Sequence, residues 1–168
     1  MANFDKFMVY KVVKDNKTYP FITSGWIVTK KFLEGKRACK ARLVVYGNQI
    51  VDNIQTDSPT VRKSSLRILF ALAVQYGWKV KTADVTSAFL QSQPLNRDVY
   101  VKPPADIHVE GTLWKLRVAV YGLGEAGKEW YETISAWLIS IGVVRDRSSL
   151  FLLREEWKTY WHAGIACS

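Results

Sequence analysis

The sequence is poor in the residues and runs that mark several common classes of protein. Its 168 residues contain two cysteines, Cys39 and Cys167, and two histidines, His108 and His162, and no two of them stand at metal-ligand or redox spacing. Free thiols in a reducing compartment are therefore expected. No apolar run approaches the roughly 20 residues that a membrane-spanning helix needs. We expect an intracellular protein of the cytoplasm or nucleus, with no membrane partner. Walker, GxGxxG and nucleophile-elbow motifs are also absent.

Apolar and basic residues, by contrast, are plentiful. The chain is 48% hydrophobic and 13% aromatic, enough to build the core of one compact domain. It carries 24 Lys and Arg against 15 Asp and Glu, a formal net charge of +9. This charge favours an acidic partner such as nucleic acid or an anionic membrane surface, although solubility alone also explains it.

Hydrophobic periodicity predicts interspersed strands and helices, as in α+β or α/β proteins. Residues 26–47 predict a hairpin with its turn at 34–35, and residues 149–168 predict two short strands around a turn at 154–158. Helices are predicted over 64–77, with Ser64 as the N-cap, and over 125–141. Alternation predicts two further strands, over 78–84 and over 112–120.

Asp84 stands at the end of the 78–84 strand pattern, ahead of the helix-like run TSAFLQ. A carboxylate at a strand end suits Mg²⁺, which often binds together with substrate phosphates. The competing interpretation is a cap, in which the carboxylate accepts hydrogen bonds from backbone N–H groups that follow. The pattern by itself favours the cap.

The predicted hairpin carries six basic residues around its turn, with Trp26 and Tyr46 available for stacking. Such a pattern suits a clamp on phosphates, but a solvated charged hairpin has the same pattern, and charge alone does not separate the two. The six residues are Lys30, Lys31, Lys36, Arg37, Lys40 and Arg42.

Four runs in a fixed order resemble the reverse transcriptase of copia-type LTR retrotransposons. They are CKARLVVYG, TDSPTVRKSSLRILFALAVQYGWKVKTADVTSAFLQ, RDVYVKPP and LWKLRVAVYGLGEAGKEWY, and the resemblance extends from Trp26 to Phe151. It implies an α+β fold with the fingers and palm of a right-hand polymerase, an antiparallel-rich sheet with packed helices, and a truncated palm. Residues 1–168 would form a single domain in which 1–75 and 92–130 are fingers-like and 76–91 and 130–168 form a partial palm.

The resemblance also assigns roles to particular residues. Asp84 matches the first catalytic aspartate, a ligand of the two Mg²⁺ ions that promote nucleotidyl transfer. Phe89 matches the aromatic that crowds the sugar 2′ position, and Arg42 matches the fingers arginine, with Lys30 or Lys31 near the γ-phosphate. The implied nucleotide-binding positions are Lys30, Lys31, Arg42, Ser87, Ala88, Phe89 and Glu125, and the nucleic-acid-binding positions are Arg37, Lys40 and Lys128.

Two departures from the family pattern affect the expected activity. The chain has YGLGEAGKEWY where the family has a run like YGLKQAPRAWY, so Glu125 replaces a glutamine and Lys128 an arginine. A carboxylate at 125 repels phosphates unless it is protonated or paired. The chain also contains no two adjacent aspartates, the second metal-binding motif of the family.

We therefore expect a truncated or domesticated enzyme that is inactive alone, binds Mg²⁺ weakly or not at all, and retains binding to an RNA or DNA primer-template and to dNTP. One alternative is a non-enzymatic module that binds a protein partner or forms a homodimer through an exposed sheet edge. Another alternative is a fragment of an active polymerase.

Overall fold

The computed structural model describes residues 1–33, 36–50, 56–80, 82–145 and 151–153. They form a mixed arrangement of helices and strands, so the predicted α+β class is confirmed. The elements are α1 (Ala2–Lys6), β1 (Tyr10–Lys14), β2 (Phe21–Leu33), β3 (Lys36–Val45), α2 (Lys63–Gln75), β4 (Tyr100–Lys102), β5 (Thr112–Leu116), α3 (Ala126–Ser140), β6 (Val143–Arg145) and β7 (Phe151–Leu153), with 3₁₀ turns at Gly47–Gln49 and Ala88–Gln91.

The chain divides into two compact units. The first comprises residues 1–56 and 87–130, and the second comprises 57–86 and 131–168. The predicted assignment of fingers-like and palm-like segments stays a prediction. None of the helices in the described residues combines the length and the hydropathy that crossing a bilayer requires.

The first unit is built on a five-stranded mixed sheet in the order β1-β5-β4-β2-β3. The β2–β4 pairing is parallel and the other three pairings are antiparallel. One face of this sheet is apolar because Ile22, Val101 and Trp114 stand side by side across three strands. They join the buried core of the unit, where each fully buried large apolar side chain contributes about 1.5–3 kcal/mol.

The second unit contains α2, the later part of α3 and the β6–β7 hairpin. Its buried cluster consists of Tyr131, Leu138 and Val143, with Ile134 packed against them. The spacing of Tyr131, Ile134 and Leu138 places them on one face of α3, as the predicted helix over 125–141 requires. Trp137, by contrast, is 55% exposed.

The end of α2 explains why one predicted strand is wrong. Gly77 adopts a left-handed conformation with φ +64, and the N–H of Trp78 donates to the carbonyl of Ala73 at 2.8 Å. This closing turn takes up the backbone of the first residues of the predicted strand. Residues 78–80 and 82–85 have no regular secondary structure. The predicted Ser64 cap is also wrong, because Arg62 occupies the N-cap position and its side chain makes no capping bond.

The other predicted strands and turns have mixed outcomes. The hairpin is confirmed as β2 and β3, while the turns predicted at 34–35 and 154–158 lie outside the described residues. The strand predicted over 112–120 ends at Leu116, and Val118 forms only an isolated bridge with Pro94.

Two glycines allow a close backbone crossing at the end of β3. The N–H of Val45 donates to the carbonyl of Tyr121 at 2.9 Å. A Cβ on Gly122 would lie 2.0 Å from the carbonyl oxygen of Val45, and a Cβ on Gly47 would lie 2.3 Å from the carbonyl oxygen of Gly122. Both glycines therefore sit where any side chain collides with backbone atoms. The crossing joins the runs LVVYGN and VYGLG, which are far apart in sequence.

The crossing predicts that Gly122→Ala destabilises the protein more than Gly111→Ala does. Both positions have positive φ, +90 at Gly122 and +72 at Gly111, but a Cβ at Gly111 meets nothing within 4 Å. Gly111→Ala is expected to cost about 1–2 kcal/mol from backbone strain alone, and Gly122→Ala at least about 3 kcal/mol because the collision adds to the strain. Urea unfolding measures both, and equal losses would contradict the crossing.

Candidate nucleotide and nucleic-acid site

The register of β2 and β3 sorts the basic residues of the hairpin onto its two faces. Lys40 and Arg42 are two residues apart on β3, so they share one face. Lys30 and Arg37 lie on the opposite face, because paired residues share a face and successive residues alternate. The position of Lys31 pairs with Ala38, which is on the same face as Arg42, so positions 31 and 42 share a face of the hairpin.

Four cations of the hairpin, Lys30, Arg37, Lys40 and Arg42, are accessible to solvent. Lys30, Arg37 and Lys40 are exposed and Arg42 is half-buried. Within the part of the chain that the structure describes, none of the four forms an ion pair with a carboxylate. Their charges are thus available to an external anion.

The two faces of the hairpin differ in their other residues. Leu43 is buried on the face of Arg37 and continues the core at the base of the hairpin. Farther along that face, Val28 is 61% exposed and Phe32 is 72% exposed. Trp26, also on this face, donates its indole N–H to the carboxylate of Asp106 at 3.0 and 3.1 Å.

Asp84 lies in the second unit, where it is exposed in a segment without regular secondary structure. Its predicted position at the end of a strand is therefore wrong. No hydrogen bond to its carboxylate is found among the described residues, which leaves the cap interpretation without structural support. Among the described residues, none covers Asp84, and its carboxylate is accessible to solvent.

The donor set around Asp84 does not fit the two Mg²⁺ ions that the resemblance implies. Within the described ranges, no three His, Cys, Asp or Glu side chains are grouped to hold a metal. Mg²⁺ takes six oxygen ligands in octahedral geometry, and a two-metal site needs carboxylates that bridge or bind both ions. A single carboxylate does not provide such a site.

Ser87, Ala88 and Phe89 form a tight turn in the first unit. Ser87 adopts a left-handed conformation with φ 57 and precedes the short 3₁₀ helix that begins at Ala88. Its hydroxyl accepts a hydrogen bond from the side-chain amide of Asn3 at 2.8 Å. The predicted helix-like turn is confirmed here, with the small residues at its start.

Phe89 is half-buried and packs against the core of the first unit. Its ring contacts Tyr121 at a centroid distance of 4.9 Å and an interplanar angle of 56°. The carbonyl of Phe89 accepts hydrogen bonds from the backbone N–H and the hydroxyl of Ser92, at 3.2 and 2.8 Å. These contacts hold the ring in one position, and its role at a sugar stays a prediction.

Glu125 is buried just before α3 and is paired with Arg97. The guanidinium donates from Nε and Nη2 to Oε1 of Glu125 at 2.9 and 2.5 Å. The side chains are 5% exposed at Glu125 and 26% exposed at Arg97. The pairing meets the condition under which a carboxylate at this position avoids repelling phosphates. The predicted contact of Glu125 with nucleotide is not tested by this geometry.

The flanking residues of the same run are also placed. Gly124 is exposed, and a Cβ there would lie 3.0 Å from Cγ2 of Thr56. Lys128 is half-buried in the first turn of α3. The backbone N–H of Glu129 donates to the carbonyl of Glu125 at 3.0 Å, so the buried carboxylate stands where the helix begins.

Two residues that matter to this geometry carried no sequence signal strong enough to single them out. Arg97 lies 28 positions before Glu125, and only the requirement for a partner to a buried carboxylate points to a basic residue. Asn3 lies 84 positions before Ser87, and nothing in the sequence pairs them.

Comparisons with known proteins agree with the motif order. Residues 7–154 match the family model described as reverse transcriptase (RNA-dependent DNA polymerase). The chain is 40% identical over 139 residues to the Retrovirus-related Pol polyprotein from transposon RE1 of Arabidopsis thaliana and 38% identical to that from transposon RE2 of the same plant. Each alignment covers 77% of this chain but only 9% and 10% of the respective polyprotein. No solved structure matches the chain.

The chain therefore belongs to the reverse transcriptase (RNA-dependent DNA polymerase) family. Its curated relatives are copia-type retrotransposon polyproteins, so the predicted resemblance is confirmed.

The buried ion pair predicts a loss of stability in Arg97→Ala. Removing the guanidinium leaves an uncompensated carboxylate in the interior, at an expected cost of about 3 kcal/mol. Urea unfolding at neutral pH measures this cost. Adding Glu125→Gln to the same variant is expected to restore part of it, because a neutral amide is cheaper to bury.

Lys115→Ala is the matched control, because Lys115 pairs with Asp98 at 2.7 Å on the exposed surface. Such pairs contribute little to stability. Similar losses of unfolding free energy in Arg97→Ala and Lys115→Ala would show that burial does not raise the contribution of the Arg97–Glu125 pair to stability.

Proposed function

We propose that this chain is a fingers-and-palm region of a copia-type reverse transcriptase that binds an RNA or DNA primer-template through the β2–β3 hairpin. In this proposal residues 1–75 and 92–130 serve as fingers and residues 76–91 and 130–168 as part of the palm. The observation that carries the proposal is the hairpin itself, because Lys30, Arg37, Lys40 and Arg42 form no ion pair with any described carboxylate.

The face that holds Lys40 and Arg42 is the better candidate for phosphate contact. It presents two cations two residues apart on β3, with Thr29 and a single exposed apolar side chain, Ile27, opposite them on β2. The opposite face mixes Lys30 and Arg37 with exposed apolar side chains and carries an acid near its base, Asp106, bonded to Trp26. Arg37 contributes attraction from that second face, and Lys128 contributes from α3.

The register also supports a choice between the two lysines proposed to approach the γ-phosphate. Position 31 is on the same face of the hairpin as Arg42, whereas Lys30 is on the opposite face. A lysine and an arginine that contact one nucleotide from one side of a hairpin must share a face. We therefore assign the phosphate role to Lys31, which shares the hairpin face of Arg42 and pairs with Ala38, four residues before it on β3.

The turn at residues 87–89 is proposed to receive the dNTP. Small side chains at Ser87 and Ala88 let backbone amides approach phosphates, and Phe89 is fixed by its packing on the core and on Tyr121. A ring held in this way can act as a steric limit at the sugar 2′ position. Glu125 acts here only in its paired form, with Arg97 neutralising its charge.

Binding through the hairpin predicts a salt-dependent affinity for duplex nucleic acid. Lys40→Ala with Arg42→Ala is expected to lower the slope of log K against log salt by about 2, because each phosphate contact contributes about 0.9. The loss should be larger than for Lys30→Ala with Arg37→Ala, which removes the same charge from the other face. Fluorescence anisotropy on a labelled primer-template measures both.

Lys63→Ala serves as the control for charge alone, since Lys63 is an exposed lysine at the start of α2. A slope that falls equally in all variants would indicate general attraction rather than the hairpin. An affinity independent of salt, or no binding to primer-template, would refute the proposal.

We further propose that the 168-residue chain does not extend a primer by itself. Asp84 is the one carboxylate assigned to the metal site, and the chain contains no two adjacent aspartates. Removing metal ligands of this kind lowers rates by orders of magnitude.

The expected result of a primer-extension assay with Mg²⁺ and dNTP is therefore no product above a protein-free control. Asp84→Asn tests the origin of any signal. Incorporation by the unaltered chain that Asp84→Asn abolishes would show that the site is active and would overturn this proposal.

A further inference from the structure

A row of side chains crosses four neighbouring strands on the sheet face opposite the core of the first unit. Lys11 on β1 lies beside Lys115 on β5, Lys115 lies beside Tyr100 on β4, and Tyr100 lies beside Phe21 on β2. Their chain neighbours Ile22, Val101 and Trp114 face the core, so these four point away from it. With strands about 4.8 Å apart, the row is roughly 14 Å long.

The row has a basic end and an aromatic end, and both reach solvent. Lys11 is exposed and the Lys115 side chain is 37% exposed. At the other end Phe21 is 44% exposed, and the ring of Tyr19 stacks on Tyr100 with centroids 4.1 Å apart and planes at 10°. Tyr100 is itself buried, so the half-buried ring of Tyr19 that stacks on it provides the aromatic surface accessible at this end.

Asp98 fixes the centre of the row. Its carboxylate accepts a hydrogen bond from the Tyr100 hydroxyl at 3.2 Å and pairs with the Lys115 ammonium at 2.7 Å. The ammonium also lies over the Tyr100 ring, 5.8 Å from its centroid. These contacts hold the cation and the ring in a fixed relation, which lowers the entropy lost when a ligand binds both.

The pKa shifts in this row favour a charged Lys115 and a neutral Tyr100, the states that suit binding of a polyanion. The hydrogen bond with Asp98 raises the pKa of Lys115, and the hydrogen bond with Lys115 lowers the pKa of Asp98. Burial, followed by the charge of Asp98, raises the pKa of Tyr100. Lys115 is therefore cationic and Tyr100 neutral over the whole physiological range.

Three residues of the row, though not Phe21, line a groove along β1 with a volume of about 740 Å³, whose lining also includes the apolar Phe4, Met8 and Val12. The groove includes Lys11, Tyr19, Tyr100 and Lys115, and it adds the exposed Arg117. Against three cations it contains one acid, Asp5. Even with Asp98 counted, the charge of the site is positive.

We infer that this row is a second nucleic-acid site, which takes a single-stranded segment with its phosphates on Lys11, Lys115 and Arg117 and its bases on Tyr19 and Phe21. Aromatic rings offer stacking to unpaired bases, whereas the bases of a duplex are stacked on one another and not accessible. The inference rests on the nucleic-acid binding proposed above but uses residues outside the β2–β3 cation cluster.

The test compares binding to a labelled oligo-dT of about 12 nucleotides with binding to a blunt duplex of equal length, by fluorescence anisotropy at several salt concentrations. Tyr19→Ala is expected to weaken oligo-dT binding about tenfold and leave duplex binding unchanged, because one stacked base contributes that much. Tyr19→Phe keeps the ring and is expected to bind like the unaltered chain.

Lys11→Glu provides a second variant at an exposed position, where no buried contact is lost. It is expected to weaken oligo-dT binding and to lower its salt slope, while Lys63→Ala leaves both unchanged. Circular dichroism and thermal unfolding show whether each variant is folded.

The outcomes separate this inference from the proposed function. If Tyr19→Ala and Lys11→Glu are folded and bind oligo-dT like the unaltered chain, the row is not a binding site, and the hairpin proposal stands. If oligo-dT binds with this dependence while primer-template binding is absent, the hairpin proposal fails and the row remains. If no oligonucleotide binds, both are overturned.

Discussion

The hydrogen bond between Val45 N–H and the Tyr121 carbonyl closes the structure on which the candidate site depends. It joins the end of β3 to the segment that leads into α3, and glycines at 47 and 122 let the two backbones come this close. The hairpin with its cations is thereby tied to the same segment that presents Glu125. Gly47 and Gly122, which are 75 positions apart, thus have one structural reason in common, which is the lack of room for a Cβ.

A buried charge near the proposed phosphate site requires a neutralising partner, and the first unit supplies it from another part of the chain. Glu125 lies at the start of α3 with 5% of its side chain exposed, and Arg97 reaches it from the segment before β4. Glu125 departs from the family pattern, which has glutamine there, but its pairing with Arg97 makes the position neutral overall. In the proposed function, this neutral pair does not oppose the attraction of the hairpin cations for phosphates, whereas an unpaired carboxylate would oppose it.

Local patterns predicted the hairpin, both long helices and the class of fold, because alternation and helical spacing reflect contacts that each segment makes along its own length. The predicted strand over 78–84 was wrong because a local pattern does not show whether a partner strand is present. Its alternation is genuine, but the glycine turn after α2 takes up the first residues, and the described residues offer no ladder partner. The basic residues of the site were predictable from sequence, whereas the face on which each lies follows from the register of two strands. The Arg97–Glu125 and Asn3–Ser87 contacts depend on tertiary folding and left no local pattern.

The distribution of charge links these features to nucleic acid more strongly than net charge does. A net charge of +9 is compatible with a solvated surface. Here, however, Lys30, Arg37, Lys40 and Arg42 form no ion pair within the described residues, while Glu125 is paired with Arg97 and Asp98 with Lys115. Because Asp98 offsets the charge of Lys115, the excess positive charge lies on the four hairpin cations and on Lys11 and Arg117 at the outer row of the sheet. Because the field of such clusters acts over about a Debye length, we expect a polyanion to be drawn to these two surfaces rather than to the chain as a whole.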